Sequence, residues 1–515
     1  MSARVFVAAT LLALVIVTTA TAGSFTTGPL VQTSGASPFA GCTTDDVAGQ
    51  AGDDSTNYLH SEVEPFIDVN PTNPANLVGV YQQDRWSDGG ARGNVASVSM
   101  NGGTTWTQVV IPGVSVCSGG VYQRATDPWV SFSPNGVAHQ SSLSFNDQQA
   151  PFTEFDFDHA ILASRSLNGG LTWSAPAVVR RDTAPNVFND KETITADPTD
   201  PNLVYAIWDR LEFPPGKRPS IVASFRAAAF KGPTWFARST DGGASWEPAR
   251  EIYDPGTIAQ TIGNQIVVQP DGDLVNIFNL RSIRAGERPA IAFDHVAIIR
   301  SEDKGVTWGP QRRGSGEIDP IIVDNMIGGA IQDPETGDDV RTGDGLPDIA
   351  VDRANGRLYA VWQDARFSGG EFASIALSMS TDGGFTWTPT IKVNATPTNI
   401  PAGNQQAFTP SVHVAADGTV GVTYYDFRNN TPDPATLPTD YWIVHCHANC
   451  SNAASWGNEA RLTDTPFDMR QAPNAGGFFT GDYQGLTAVG NRFGAYFSMT
   501  HGTDPSSIFY RTAGP

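Results

Sequence analysis

Apolar runs in this 515-residue chain end repeatedly in an acid and an arginine: Asp84-Arg85, Asp209-Arg210, Asp364-Ala365-Arg366 and Asp426-Phe427-Arg428, with Arg281 in the same position of a further run. A second charged set opens other runs: Glu62 and Glu64, Arg124 and Asp127, Asp190-Lys191-Glu192, and Asp482-Tyr483. Two chemistries use such residues. Arginine forks grip a carboxylate through paired hydrogen bonds, and neighbouring carboxyls can divide the roles of acid and base. Alternatively, adjacent Asp and Arg satisfy one another, which is how buried charge is tolerated, and the repeated pattern then binds one structural unit to the next. Both uses stay open at the level of sequence.

A third set could hold a cation. The stretch 338–348 (DDVRTGDGLPD) is rich in Asp and Gly, as calcium loops are, and Asp339, Asp344 and Asp348 are its candidate ligands. It lacks the spacing and terminal Glu of an EF-hand, and a solvated turn explains the same composition. A structural calcium is therefore the one cofactor considered, and none is required. His445 and His447 flank Cys446, but zinc would need further ligands nearby. The eight histidines form no Ser/His/Asp set, no nucleophile elbow occurs, and no glycine loop opens a helix to cradle a nucleotide.

Residues 1–22 carry one charge, Arg4, an apolar stretch over 5–17 and Ala20-Thr21-Ala22 before Gly23. They read as a signal peptide, giving a secreted, extracellular protein with no membrane span after its removal. Cys42, Cys117, Cys446 and Cys450 suit that compartment. Of the three possible pairings, Cys446 with Cys450 and Cys42 with Cys117 is expected, because the first two are close enough to pair locally. A net charge of −21 argues against nucleic acid as the partner. A monomer is expected.

The elements that must position these residues are visible as a repeat. Residues 380–387 (STDGGFTW) recur as 239–246 (STDGGASW), with looser copies at 99–106, 166–173 and 301–308. Each lies between apolar runs, so it reads as a hairpin turn. Its Asp or Asn can accept backbone N–H groups, its glycines permit positive φ, and its Trp has an apolar face to bury. Two more short strands precede each turn, as in 64–71 with 77–81 and 192–198 with 203–208. Four antiparallel strands per repeat make a propeller blade. At 449–456 the turn keeps only Trp456, and a local disulfide replaces the Asp. The last unit, from Leu486 onward, has three strands, and residues 28–34 are expected to add the fourth and close the ring. The expectation is an all-β chain, a single propeller over 23–515, with seven blades preferred and six possible. Residues 213–231 read as a surface loop, and 314–345 as a longer insertion.

The pattern Ser-x-Asp-x-Gly-x-Thr-Trp resembles the Asp-box, or BNR repeat, of sialidases and other Asp-box propellers. The resemblance covers nearly all of 23–515 as fold. It implies six blades, boxes on the face opposite the active site, and an exo-α-sialidase-like glycoside hydrolase acting on terminal acidic sugars of glycans. Carried over by position in the repeat, Arg85, Arg210, Arg366 and Arg428 would hold the substrate carboxylate. Tyr483 would be the nucleophile with Glu192 as its partner, and Asp84 or Asp127 the acid/base group. Sialidases carry an Arg-Ile-Pro motif ahead of the first blade; here Pro65-Phe66-Ile67 stands near that place without an arginine. Two alternatives accompany this one. A non-catalytic extracellular propeller would bind carbohydrate or protein, its arginines all paired to neighbouring blades. A glycosidase for neutral polysaccharide would use two carboxylates and no arginine cluster.

Overall fold

The computed structural model describes residues 25–43, 55–146, 158–184, 186–213, 231–283, 292–311 and 315–515. The expected signal peptide and almost all of the 213–231 loop lie outside the described residues. Strands dominate, and the helices among the described residues are short 3-10 turns. Short runs of β-branched and aromatic residues between Gly, Asn and Pro turns leave no stretch with helical periodicity.

The strands group into antiparallel four-stranded units in chain order. The first comprises Glu62–Val69, Leu77–Arg85, Ala91–Ser99 and Thr107–Val110. The second comprises Arg124–Phe132, Ala138–Phe145, His159–Ser166 and Ala177–Asp182. The third comprises Val187–Ala196, Val204–Glu212, Thr234–Ser239 and Arg250–Tyr253. The fourth comprises Ala259–Val268, Leu274–Ile283, Ala292–Ser301 and Ile321–Met326. The fifth comprises Asp348–Val351, Leu358–Asp364, Ser374–Ser380 and Ile391–Lys392. The sixth comprises Ala407–Val414, Val420–Asp426, Pro438–Cys446 and Asn458–Arg461. The last has Gly485–Val489, Arg492–His501 and Asp504–Gly514, and its open edge is taken by Thr26–Thr27 and Val31–Gln32. The segment 28–34 thus lies along the final strand, as expected from the sequence, and covers an edge that would otherwise invite pairing with another chain.

Each unit's first strand packs beside that of the next, and the last unit's packs beside Glu62–Val69, so the contacts run in a cycle. The apolar core is divided accordingly. Val78, Val80 and Val98 of the first unit meet Val130, Leu162 and Trp173 of the second in one cluster, and Tyr81 and Val95 meet Tyr496 and Tyr510 across the seam between last and first units. Trp86, Trp208 and Trp362 are fully buried. Burial of each large side chain contributes roughly 1.5–3 kcal/mol.

The repeat turns staple these interfaces. Ser380 Oγ donates to Asp382 Oδ1 (2.8 Å) and accepts the Gly384 N–H (2.8 Å). Asp382 accepts the Thr386 N–H (2.9 Å) and hydroxyl (2.6 Å), and Trp387 Nε1 donates to Gly384 O (3.0 Å). Gly384 sits at φ 94°, and a Cβ there would lie 2.6 Å from Ile298 Cδ1 of the preceding unit. Glycine is required both by the left-handed backbone and by that close approach. In the sixth unit the Cys446–Cys450 disulfide takes over, with Trp456 Nε1 donating to Cys450 O. Cys42–Cys117 is the other bridge, so both expected pairings are present.

The insertion before the fifth unit forms a strap. Ile331–Gln332 pairs with Asp339–Arg341, which pairs in parallel with Phe478–Phe479 from the approach to the last unit.

Candidate functional site at the centre of the cycle

The first strands carry a recurring irregularity. Their register shifts between Val63 and Phe66, Thr126 and Trp129, Asp190 and Thr193, Ile262 and Gln265, and Phe408 and Ser411. In these bulges Glu64, Asp127, Lys191 and Thr409 have φ of 54°, 46°, 51° and 49°. Left-handed backbone at a non-glycine residue costs of the order of 1 kcal/mol or more and collects at functional sites, where a bulge re-aims a side chain. Here the bulges gather charge from different units into one place.

Lys191 is the hub. Its Nζ lies 2.8 Å from Asp127 Oδ1, 2.8 Å from Asp482 Oδ2 and 3.2 Å from Glu64 Oε1. Arg341, on the strap, donates to both oxygens of Asp482, sharing Oδ2 with Lys191, and also donates to Ala475 O (3.1 Å). Gln82 donates to Glu64, and Arg85 donates to Gln82 Oε1 (2.9 Å). The guanidiniums of Arg85 and Arg341 both lie over the Phe479 ring, at 5.1 and 4.3 Å. Arg85 is buried, its Nε has no hydrogen-bond partner, and it faces no carboxylate at ion-pair distance among the described residues.

Protonation states divide around this hub. Burial alone would raise Asp482, but the charges of Arg341 and Lys191 and their hydrogen bonds outweigh it and hold the carboxyl well below the usual range. Burial would likewise lower Lys191, yet Asp127, Asp482 and Glu64 keep its ammonium charged. Glu192 goes the other way: burial, then the charge of Asp127, push its carboxyl far above normal. Among the described residues neither of its oxygens accepts a hydrogen bond from another residue. Glu64 and Asp190 are also raised, chiefly by burial. The Tyr483 hydroxyl donates to Pro128 O (3.1 Å), and burial followed by the charges of Glu64 and Asp127 raises the phenol. Carboxyls pushed in opposite directions within one site are the arrangement that acid–base chemistry uses.

Space accompanies the groups. A narrow chamber on the axis is lined by Asp127, Trp129, Lys191, Glu192 and Tyr483 among others. It shares Lys191, Gly343 and Asp482 with a cleft of about 420 Å³ between the strap and the first and fourth units, whose walls include Asp88, Arg281 and Arg341.

Of the residues singled out from the sequence, Tyr483, Glu192, Asp127 and Arg85 come together here. Asp84 does not: its Oδ2 accepts from Ser37 Oγ (2.5 Å) and its Oδ1 from the His60 N–H (2.9 Å), anchoring the N-terminal segment. Arg210 pairs with Asp182 and Glu212 and stacks on Trp235. Arg366 pairs with Asp364 and Asp324. Arg428 pairs with Asp426 and Glu459 and stacks on Trp442. These three arginines are each engaged in ion pairs with neighbouring carboxylates. The three candidate calcium ligands are dispersed. Asp348 accepts the Val412 and Ile349 N–H groups, Asp339 accepts from Gln332 Nε2 (3.2 Å), and Asp344 lines the cleft with Arg281. Among the described residues no three His, Cys, Asp or Glu side chains are grouped to hold a metal ion. Lys191, Glu64 and Asp482 stand in the charged set that opens the first strands, without individual roles assigned to them, whereas Arg341 was not singled out. For Arg341 the available signal was a lone cation in an acidic, glycine-rich insertion.

The chain matches no protein-family model, and a comparison with curated proteins gives no match. Among solved structures it is similar to a protein of unknown function from Dyadobacter fermentans DSM 18053, at 15% identity over 76% of this chain and 94% of that chain, with a TM-score of 0.43. It is similar to the Hadza microbial sialidase Hz136, at 15% identity over 85% of this chain and 73% of that chain, with a TM-score of 0.46. It is also similar to the α-L-arabinofuranosidase Arb93A from Fusarium graminearum, at 10% identity over 89% of this chain and 97% of that chain, with a TM-score of 0.40.

Proposed function

We propose that the four-stranded units are the blades of one seven-bladed propeller spanning 23–515, and that the protein is a secreted, sialidase-like glycoside hydrolase acting on a terminal acidic sugar at the axial mouth. The observation that carries this reading is Glu192: a buried, neutral carboxyl whose oxygens bond no other residue among those described, beside Asp127 and the charged Lys191–Asp482 pair. A neutral carboxylic acid held this way can protonate a leaving oxygen, and the fixed charges stabilise the cation-like sugar that results. Tyr483 stands beside it as the nucleophile, passing its phenol proton to a carboxylate of the hub as its oxygen bonds the anomeric carbon and the leaving oxygen takes the Glu192 proton, and Arg85 with Arg341 receives the substrate carboxylate against Phe479. Arg85 suits that part because, among the described residues, its buried guanidinium has no carboxylate at ion-pair distance. The two disulfides fit an oxidising compartment, and with it an exported protein.

The test is hydrolysis of a fluorogenic α-sialoside and of neutral aryl glycosides by the purified protein and by Glu192→Gln. The expected result is turnover of the sialoside by wild type and a loss of three orders of magnitude or so in the variant, with the circular dichroism spectrum unchanged. Turnover of neutral glycosides alone would assign the two-carboxylate reading, which the pairing of Arg210, Arg366 and Arg428 favours. Absence of any hydrolysis would overturn the enzyme reading and leave a glycan- or protein-binding module.

A further inference from the structure

The axial chamber does not end at Glu192. Phe66, Trp129 and Gln265 line both it and a further cavity of about 250 Å³ toward the other end of the first strands. Every unit contributes to that cavity, through Asp68, Ser131, Thr195, Val267, Arg353, His413 and Thr487 in chain order. None of these residues belongs to the mouth described above.

The polar groups of its wall fall into two classes. The acceptors are engaged. Asp68 takes the N–H groups of Phe132 (2.7 Å) and Val69 (2.8 Å), and Asp352 takes those of Ala354 (2.9 Å) and the Asn355 amide (2.5 Å). Ser131 Oγ accepts the Ala196 N–H (3.1 Å), and the Thr195 hydroxyl donates to Ile266 O (3.0 Å). Three donors are not. Neither the guanidinium of Arg353, which is exposed, nor the imidazole of the half-buried His413 makes a hydrogen bond or ion pair to another residue among the described residues, and the buried Thr487 hydroxyl makes none either. Burial, then the charge of Arg353, lowers His413 to about 4, so at neutral pH it offers one ring N–H and one lone pair. Arg353 therefore acts on His413 across the same space.

We propose that this cavity is a second binding site, at the opposite end of the axis from Glu192, for a small oxyanion bearing a carboxylate or phosphate group. Arg353 supplies the charge and a donor fork, and His413 supplies a neutral donor. Asp68 and Asp197 are the carboxylates whose charges act on Arg353, and neither lies at ion-pair distance from it, so its guanidinium is left for a ligand. The volume accommodates a small organic acid rather than an oligosaccharide.

The test uses the full-length protein. The imidazole resonances of His413, assigned through His413→Gln, are followed at pH 7 and constant ionic strength while inorganic phosphate, and separately acetate, is added. The expected result is a saturable shift of the His413 signals with at least one of the two. It should be reduced tenfold or more in apparent affinity in Arg353→Met and unchanged in Glu192→Gln, with circular dichroism confirming that Arg353→Met is folded. A response to only one of the anions identifies which oxyanion the site prefers. No saturable shift with either, or an identical one in Arg353→Met, overturns the site.

Discussion

Arg341 and Asp482 lie 141 residues apart in sequence, and the guanidinium grips the carboxylate twice, Nη2 to Oδ2 at 2.8 Å and Nε to Oδ1 at 3.3 Å. The contact fastens the strap to the approach to the last unit, beside the parallel pairing of Val340 with Phe478. Because Asp482 also bonds Lys191, the strap and the buried hub are one electrostatic unit. Gly343 belongs to the same fastening: a Cβ there would lie 1.9 Å from Asp482 O.

Arg341→Met should therefore loosen the strap and destabilise the whole fold. Removing one partner of a buried pair costs about 3–5 kcal/mol when the other is stranded, and Lys191 remains to hold Asp482, so about 3 kcal/mol is expected. Urea unfolding measures the loss. Limited proteolysis should then cut first within 331–345. A variant as stable and as resistant as wild type would show that the strap is held by other contacts.

Glu62 should make stability fall as pH rises. Burial, helped by the charges of Asp84 and Asp504, lifts its carboxyl from the ordinary 4.5 to about 8 despite the hydrogen bond from Gln83 Nε2 (2.6 Å). The folded state then holds a proton that the unfolded chain releases. The contribution is complete below the unfolded value and is lost as pH climbs toward 8. Over that window one such group accounts for a slope of about 1.4 kcal/mol per pH unit. Glu62→Gln should flatten the pH dependence between pH 5 and 8 by up to that amount, read from denaturant midpoints at each pH. An unchanged slope would show that Glu62 is ionised in the fold.

The two disulfides should differ in weight. Cys42–Cys117 closes a separation of 75 residues and Cys446–Cys450 one of 4. Loop entropy in the unfolded chain gives about 4 kcal/mol for the first and about 2 for the second. Serine replacement of each pair, followed by thermal unfolding, should therefore lower Tm more for Cys42/Cys117. The reverse order would mean that the Cys446–Cys450 bridge stabilises the fold chiefly by replacing the turn bonds around Trp456.

The turns and strand order were legible in the sequence because they are local. The bonds of Ser380 reach no further than Gly384, and those of Asp382 stop at Thr386. The pairing of 28–34 with the last strand was legible for another reason: a three-stranded unit leaves an edge that something must cover. The site was legible only in part. Glu192, Asp127, Tyr483 and Arg85 arrive at the centre because their place in the repeat, at the start of a first strand or the end of a second, points there. Arg366 and Arg428 share Arg85's place yet turn away, since Asp324 and Glu459, 42 and 31 residues distant, pair with them. Such partners sit on fourth strands, which the pattern of a single repeat does not connect to the second. Arg341 was hidden more deeply, because only the parallel pairing of the strap brings it to Asp482.

The mouth itself yields the sharpest contrast between two conservative changes. Tyr483→Phe removes one hydroxyl, whose only bond among the described residues is donated to Pro128 O, so the fold should lose no more than about 1 kcal/mol. If Tyr483 is the nucleophile, kcat on an α-sialoside should fall by several orders of magnitude with KM little changed. Arg85→Lys keeps a charge but loses the fork that Phe479 supports, and Arg85 already titrates low, at about 10, from burial and the charge of Arg341. It should instead raise KM for the acidic substrate tenfold or more, a loss of about 1.4 kcal/mol or greater, while leaving any turnover of neutral glycosides unaffected. Steady-state kinetics on both substrate classes separates the two roles. Equal losses in kcat and KM for both variants, on both classes, would mean that neither residue meets the sugar and that each acts by holding the hub around Lys191 in shape.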